Sequence, residues 1–195
     1  MGKEFELKYA ATEVQLEILK NRYPQLQPIA METTYYDNAA GDFSRLKWTF
    51  RRRMENGISV CTLKTPMAGL GRAEFEVECA DLLEAVPQLL AQGAPEELAA
   101  MVACGIAPSC GAKFTRLAGK LELDGCTAEL ALDKGVLLGG GKELPFREVE
   151  VELKEGSEEA VVVFAEALAA ELGLTPEPKS KVARARQLAE YRMQN

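Results

Sequence analysis

Polar and apolar residues alternate strictly from Glu4 to Tyr9. Glu4, Glu6 and Lys8 fall on one side and Phe5, Leu7 and Tyr9 on the other, the period-two signature of a strand with one buried face. The period then lengthens over 12–22, where Val14, Leu16, Ile18 and Leu19 give an apolar side and Thr12 can cap a helix. Pro24 and Pro28 break the chain. Strand patterns follow at 32–37, 46–53, 58–64 and 73–79, the middle pair joined by Glu55-Asn56-Gly57, a hairpin turn that accommodates positive φ. Leucine, valine and methionine at helical spacing occupy 81–104. Strands return at 113–123, 127–132 and 146–154, with Asp124-Gly125 and Gly139-Gly140-Gly141 as hinges. Helices at 158–172 and 182–193 close the chain, separated by Pro176-Glu177-Pro178-Lys179-Ser180. There is no internal repeat, and the pattern predicts one α+β domain over 1–195, rich in antiparallel sheet.

Composition narrows the chemistry. With 47% apolar and 27% charged residues in 195, the chain reads as an ordinary globular protein. Its net charge of −7 is the wrong sign for non-specific nucleic-acid binding. No apolar run suits a membrane span, and the charged start Met1-Gly2-Lys3-Glu4 shows no signal peptide, so the expected location is the cytoplasm. Histidine is absent, which excludes Ser-His-Asp and Cys-His triads, His-ligated zinc and histidine bases. The five cysteines form no C-x-x-C pair and are expected as reduced thiols. Catalysis, if any, falls to carboxylates, Lys, Arg or a borrowed metal ion.

The strands carry charge in rows. Glu4, Glu6 and Lys8 share one face; Lys47, Thr49, Arg51 and Arg53 share another, opposite Trp48 and Phe50. Arg72, Glu74, Glu76 and Glu78 form a third row, and Glu148, Glu150 and Glu152 a fourth, opposite Val149, Val151 and Leu153. A half-solvated sheet explains any one row, but like charges in register repel, and several such rows imply a shared polyvalent ligand. A barrel with its apolar face outward, under a jacket of helices, has a charged lumen. Carboxylates there can hold a hard divalent cation, and Arg and Lys can hold phosphate oxygens. By the same repulsion, removing one crowded carboxylate such as Glu150 is expected not to destabilise the fold.

The motifs resemble the CYTH superfamily, or triphosphate tunnel metalloenzymes, and most closely its bacterial inorganic-triphosphatase branch. Glu4-Phe5-Glu6-Leu7-Lys8 is similar to the opening E-x-E-x-K signature. Phe50-Arg51-Arg52-Arg53 before Glu55-Asn56-Gly57 resembles the L-R-x-R hairpin, Thr62-Leu63-Lys64-Thr65 the single-lysine strand, and Arg72-Ala73-Glu74-Phe75-Glu76 the R-x-E-x-E strand. Phe114-Thr115-Arg116, the segment from Glu129 to Gly135, Glu148-Val149-Glu150-Val151-Glu152-Leu153 and Ser180-Lys181-Val182-Ala183-Arg184 continue the match in the family's order.

The resemblance implies an eight-stranded antiparallel β-barrel, clad by helices, that hydrolyses or rearranges triphosphates with Mg²⁺ or Mn²⁺. It implies Glu4, Glu6 and Glu150 as metal ligands, with Glu148 a further ligand or the group orienting water. Glu74 and Glu76 are left to a second metal or to balancing arginines, and Asp133 approaches the metal. Lys8, Arg51, Arg53, Lys64, Arg72, Arg116, Lys181 and Arg184 would grip phosphate. Glu129 and Glu152 are equally well read as lumen charges paired to neighbouring cations. Arg52 falls in a slot that is usually apolar, on the outer face, and Ala118 stands where some members carry a second basic residue. Absence of the His-Phe element often found in the adenylyl cyclase branch counts against that activity. The expected substrate is inorganic tripolyphosphate, bound by a monomer or homodimer. The alternatives are thiamine triphosphate or a nucleotide, class IV adenylyl cyclase activity, and a non-catalytic polyphosphate sensor. Placed outward by alternation, Trp48 offers no platform for an organic group.

Overall fold

The computed structural model describes residues 2–67 and 71–190, in six helices and ten strands. The N-terminal pattern is two strands, β1 (Gly2–Glu4) and β2 (Glu6–Ala10), interrupted only at Phe5. Helix α1 (Glu13–Arg22) follows with Thr12 and Gln15 in a reciprocal capping box. Then come β3 (Gln27–Asn38), a short α2 (Asp42–Arg45), β4 (Thr49–Glu55), β5 (Ile58–Pro66) and β6 (Arg72–Glu78). The helical stretch divides into α3 (Leu82–Ala91) and α4 (Glu97–Ala103). Three long strands, β7 (Ile106–Leu123), β8 (Cys126–Gly139) and β9 (Lys142–Gly156), precede α5 (Glu158–Leu172), the two-residue β10 (Thr175–Pro176) and α6 (Lys181–Glu190). The predicted end of the last helix, at 191–193, lies outside the described residues.

All pairings are antiparallel, in the order β1-β6-β5-β4-β3-β7-β8-β9-β2-β10. β1 holds one edge and β2 pairs with β9 near the other, and one residue separates them in the chain. The N-terminal segment thereby ties both flanks of the sheet, which curls into a tunnel. Counting β1 and β2 as one interrupted strand and setting aside β10, eight strands make the wall.

Alternation decides what lies outside. Phe50, Leu63 and Phe75 are neighbours in register across β4, β5 and β6, and with Phe43 of α2 they pack under α3 and α4 through Leu82, Val86, Leu89 and Leu98. On the other flank Phe5, Val149, Val151, Leu130 and Leu132 pack against Leu16 and Leu19 of α1 and Val161, Ala165 and Leu168 of α5. Leu7 packs against the same cluster. Arg52 also points outward and donates to the Ala80 carbonyl oxygen at 3.3 Å.

Two departures from the sequence pattern matter. The predicted strand at 46–53 begins only at Thr49, because Lys47 closes α2 in the left-handed conformation (φ +57°) and takes Leu46 and Trp48 out of the alternation. The lumen is also not charged throughout. Met31, Ala112, Phe114, Leu137 and Phe146 form an apolar patch against Ala185 and Leu188 of α6. Phe114 lies two residues from Arg116 in β7, and Phe146 two from Glu148 in β9, so this patch shares the face of the site residues. Helix α6 therefore plugs the tunnel from within, whereas the other long helices clad its outside.

Close approach of that plug depends on the glycine hinge. A Cβ at Gly139 would fall inside contact distance of the Ala185 carbonyl, and one at Gly140 (φ +57°) would meet Ala189 Cα at 2.8 Å. Gly139→Ala is therefore expected to lower stability by about 1–3 kcal/mol, as overpacking does. Thermal unfolding of the variant at the wild-type temperature would contradict this seating of α6.

Candidate tunnel site

The charged rows converge on one cavity of about 1340 Å³ inside the curled sheet. On the wall made by β1, β4, β5 and β6, the Lys64 ammonium pairs with Glu4 and lies 3.1 Å from Glu74. Glu74 is in turn 3.7 Å from Arg51. Arg53 pairs with Glu55, and Glu76 accepts from the Thr62 hydroxyl at 3.0 Å. Arg72 donates to the Lys47 carbonyl at 3.0 Å, which fixes its guanidinium at the rim. Register explains the arrangement: Thr49, Lys64 and Glu74 are neighbours across three strands, as are Arg51, Thr62 and Glu76.

The opposite wall, from β2 and β7 to β9, is more deeply buried. Arg116 forks onto Asp133 (Nε–Oδ1 2.8 Å, Nη2–Oδ2 2.7 Å) and also reaches Glu150. Lys181, entering from α6, places its ammonium 2.8 Å from Asp133 and 2.6 Å from Glu150 and pairs with Glu148. The same ammonium lies 5.4 Å from the ring centroids of both Phe114 and Phe146, a cation–π setting that restricts where it can go. Lys8 lies 3.4 Å from Glu6, and Lys154 is 2.9 Å from Glu152 and 3.6 Å from Glu129.

Lys8, Arg51, Arg53, Lys64, Arg72, Arg116 and Lys181 all border the cavity, as do Glu4, Glu6, Glu74, Glu76, Glu129, Glu150 and Glu152. Asp133, Glu148 and Arg184 do not. Asp133 and Glu148 are fully buried on the lumen face beneath α6, and Arg184 is paired to Glu148 and lies 3.6 Å from Glu177. Trp48 packs against the outer cluster, as alternation expected, and also reaches the cavity. It borders the cavity, edge-on to Phe43 at 6.4 Å between centroids, because the turn at Lys47 precedes the strand.

Sequence reasoning passed over Tyr35, Lys154 and Arg186, which also border the cavity. Lys154 continues the Glu148-Glu150-Glu152 row, and Tyr35 is the register partner of Arg51, so both were within reach of the period-two argument. Arg186 had no such signal, because the last helix carries no strand-like row. Of the cysteines, Cys61 is buried on the outer face and its thiol is pushed up to about 11, chiefly by burial, which leaves it unreactive.

Burial sets the electrostatics, and partners decide the sign. Burial raises the Glu150 carboxyl, but Lys181 and Arg116 outweigh it and hold Glu150 well below the usual carboxylate range. Burial lowers Lys181, yet Asp133 and Glu150 keep its ammonium pKa raised. Glu6 goes the other way: burial, and then Glu150, push its carboxyl up. Glu6 also faces Glu152 directly in register, and Glu152 faces Glu129. This crowding corrects the picture of uniformly repelling rows. Glu150 is over-supplied with cations, whereas Glu6 is under-supplied.

The donor set suits a hard divalent cation, since only oxygens of crowded carboxylates converge there. Asp133, Glu148 and Glu150 have oxygens within 4.8 Å of one another, but the Lys181 ammonium already lies among them. The under-compensated oxygens facing the cavity belong to Glu6 and its neighbours, and that is where an added cation relieves most repulsion.

A model of the CYTH domain matches residues 2–185. The fold is also similar to solved structures. One is a candidate adenylate cyclase from Bacillus halodurans, with 19% identity, a TM-score of 0.68, and 94% of this chain and 98% of that chain covered. Another is a candidate adenylyl cyclase from Hippeastrum, described as having a dominant triphosphatase activity, with 19% identity, a TM-score of 0.69 and 97% of each chain covered. A third, from Pyrococcus horikoshii, has 24% identity and a TM-score of 0.58, covering 92% of this chain and 96% of that one. No helix among the described residues is long and apolar enough to cross a membrane.

Replacing Lys181 by Met, which keeps the chain length but not the charge, leaves three buried carboxylates with only Arg116 and Arg184 paired to them among the described residues. In metal-free buffer at pH 7.5 the variant is expected to lose about 3–5 kcal/mol, the usual result of breaking a buried pair. The deficit should shrink toward pH 5. A depressed carboxyl such as wild-type Glu150 adds stability above its unfolded pKa of about 4.3 and loses it only as pH falls lower. Carboxyls raised by the loss of Lys181 instead favour the folded state as they take up protons. Denaturant titrations at both pH values measure the gap, and a gap that stays constant or widens toward pH 5 would overturn this account.

Proposed function

The chain belongs to the CYTH domain family, and on that premise we propose that it is a metal-dependent triphosphatase whose substrate is inorganic tripolyphosphate, cleaved by water to pyrophosphate and phosphate. One observation carries the reading. Seven cationic side chains, Lys8, Arg51, Arg53, Lys64, Arg72, Arg116 and Lys181, border the same cavity as the acidic set Glu4, Glu6 and Glu150. A phosphate chain with a divalent cation is a ligand that needs both sets together.

Arg51 and Arg53 on one wall and Arg116 and Lys181 on the other would clamp phosphate oxygens from opposite sides, so the chain lies extended between them. Glu4, Glu6 and Glu150 would hold Mg²⁺ or Mn²⁺. That ion supplies charge neutralisation on the phosphoryl group being transferred. A cavity-facing carboxylate of this set would accept the hydrogen bond of the attacking water and align it with the terminal phosphorus. Lys181 and Arg116 oppose the charge that develops on the bridging oxygen as it leaves. Asp133 and Glu148 work through others: Asp133 orients Arg116 and Lys181, and Glu148 secures Lys181 and Arg184. Glu74 and Glu76 hold Lys64, Arg51 and Thr62 in place, with a second metal as their further role.

A second reading keeps the tunnel and changes the cargo. Trp48 on the cavity border gives an aromatic surface to an organic triphosphate, thiamine triphosphate or a nucleotide. Phosphate release from tripolyphosphate, ATP and thiamine triphosphate, each with Mg²⁺, Mn²⁺ or excess EDTA, separates these readings. The expected outcome is fastest release from tripolyphosphate and none in EDTA. Turnover that survives chelation would end the metal-dependent mechanism, and faster release from an organic triphosphate would favour the second cargo.

Glu150→Gln should lower kcat by on the order of 10²-fold or more, as for other lost electrostatic stabilisers. Without metal it should also melt below wild type, since Gln cannot compensate the buried Lys181 and Arg116. The repulsion argument from sequence expected no such loss. Near-normal turnover in this variant would move the metal to Glu74 and Glu76.

A further inference from the structure

Helix α6 carries two arginines near the tunnel, and the fold treats them differently. Arg184 stays off the cavity and is spent on Glu148. Arg186 borders the cavity with its side chain only 17% exposed. Its Nε and Nη2 atoms are shut off from solvent and make no hydrogen bond. Among the described residues the one carboxylate within 4 Å of it is Asp37, whose Oδ2 is 3.7 Å from Nη2, beyond hydrogen-bond reach. Asp37 is itself committed. It accepts from the Phe43 and Ser44 amides at 3.1 and 3.0 Å and from the Ser44 hydroxyl, and so holds the start of α2.

Buried guanidinium donors without acceptors are costly and are kept where a ligand completes them. Lys64, Arg116 and Lys181 each have a carboxylate oxygen within about 3 Å, whereas Arg51 shares the condition of Arg186, with a buried Nε that makes no hydrogen bond and its nearest carboxylate, Glu74, at 3.7 Å. The missing partner of Arg186 must be an acceptor with several oxygens that enters through the cavity, which describes a phosphate group and suits the guanidinium fork.

We propose that Arg186 is a phosphate-binding residue of the tunnel, taking the end of a bound oligophosphate nearest α6, the role that the S-K-x-x-R pattern alone gives to Arg184. This rests on the triphosphate reading above. The test is calorimetric titration of tripolyphosphate into wild type, Arg186→Gln and Arg186→Lys in EDTA-containing buffer, with ligand-free melting curves alongside. Arg186→Gln is expected to bind about tenfold to a hundredfold more weakly, the range for one charge-assisted contact. It should melt no lower than wild type, because unsatisfied buried donors have been removed, and Arg186→Lys should recover part of the affinity. A purely structural arginine would give the reverse: a lower melting temperature with wild-type affinity in the folded protein. Wild-type affinity in Arg186→Gln would overturn this inference alone. A wild-type protein that binds no tripolyphosphate in EDTA and neither binds nor cleaves it with Mg²⁺ would remove the triphosphate reading and this inference together.

Discussion

The tunnel depends on one buried ammonium. Lys181 reaches Asp133, Glu148 and Glu150 from a helix that closes the lumen from inside, so a single side chain joins α6, β8 and β9. Three carboxylates lie within 4.8 Å of one another, two of them fully buried, and among the described residues Lys181 is the one cation that reaches all three, while Arg116 and Arg184 share them between the two. Phe114 and Phe146 form the surface on which the ammonium rests, and the glycine hinge after β8 lets the helix come close enough to deliver it. Packing of the plug and charge balance of the site are therefore the same constraint seen from two sides.

A polar interior forces the rest of the architecture. Because the lumen takes the charged face of nearly every strand, the apolar face must be covered from outside. Two separate clusters do this, one under α1 and α5 and the other under α2, α3 and α4. Stability thus comes from the jacket, and the lumen is free to hold groups chosen for chemistry.

Much of this was legible in the residues. Strict alternation in 4–9 and 146–154 assigned Phe5, Val149 and Val151 to the outer face and Glu6 and Glu150 to the inner one, and both assignments hold. What escaped was whatever breaks the period. The turn at Lys47 starts β4 only at Thr49 and lets Trp48, still packed on the outer cluster, border the cavity as well, a left-handed position that nothing but the fold reveals for a lysine. In β7 the inner face mixes Ala112 and Phe114 with Arg116, so no charged row announced that one end of the lumen is apolar and receives a helix. Arg186 escaped for a related reason: the S-K-x-x-R pattern drew the reading of α6 to Lys181 and Arg184, and no further motif marked Arg186.

The resting tunnel is also nearly neutral by design. Lys8, Lys64, Arg116 and Lys181 among its lumen cations are paired with lumen carboxylates, so much of either set is engaged at the start. A triphosphate that takes Arg51, Lys64 or Lys181 from Glu74, Glu4 or Glu150 leaves those carboxylates uncompensated, and each such exchange on its own is close to electrostatically neutral. A divalent cation that takes the released carboxylates supplies the missing charge. Conversely, the cation entering alone would strand ammonium and guanidinium groups against one another. On the proposed function, metal and polyphosphate would therefore favour each other's binding through the displaced ion pairs, even with no direct contact between them. Affinity for either ligand measured without the other would then understate what the site achieves with both, and Arg186, whose carboxylate neighbour Asp37 lies beyond hydrogen-bond reach, is a position from which a phosphate chain could begin the exchange without first breaking a hydrogen-bonded pair.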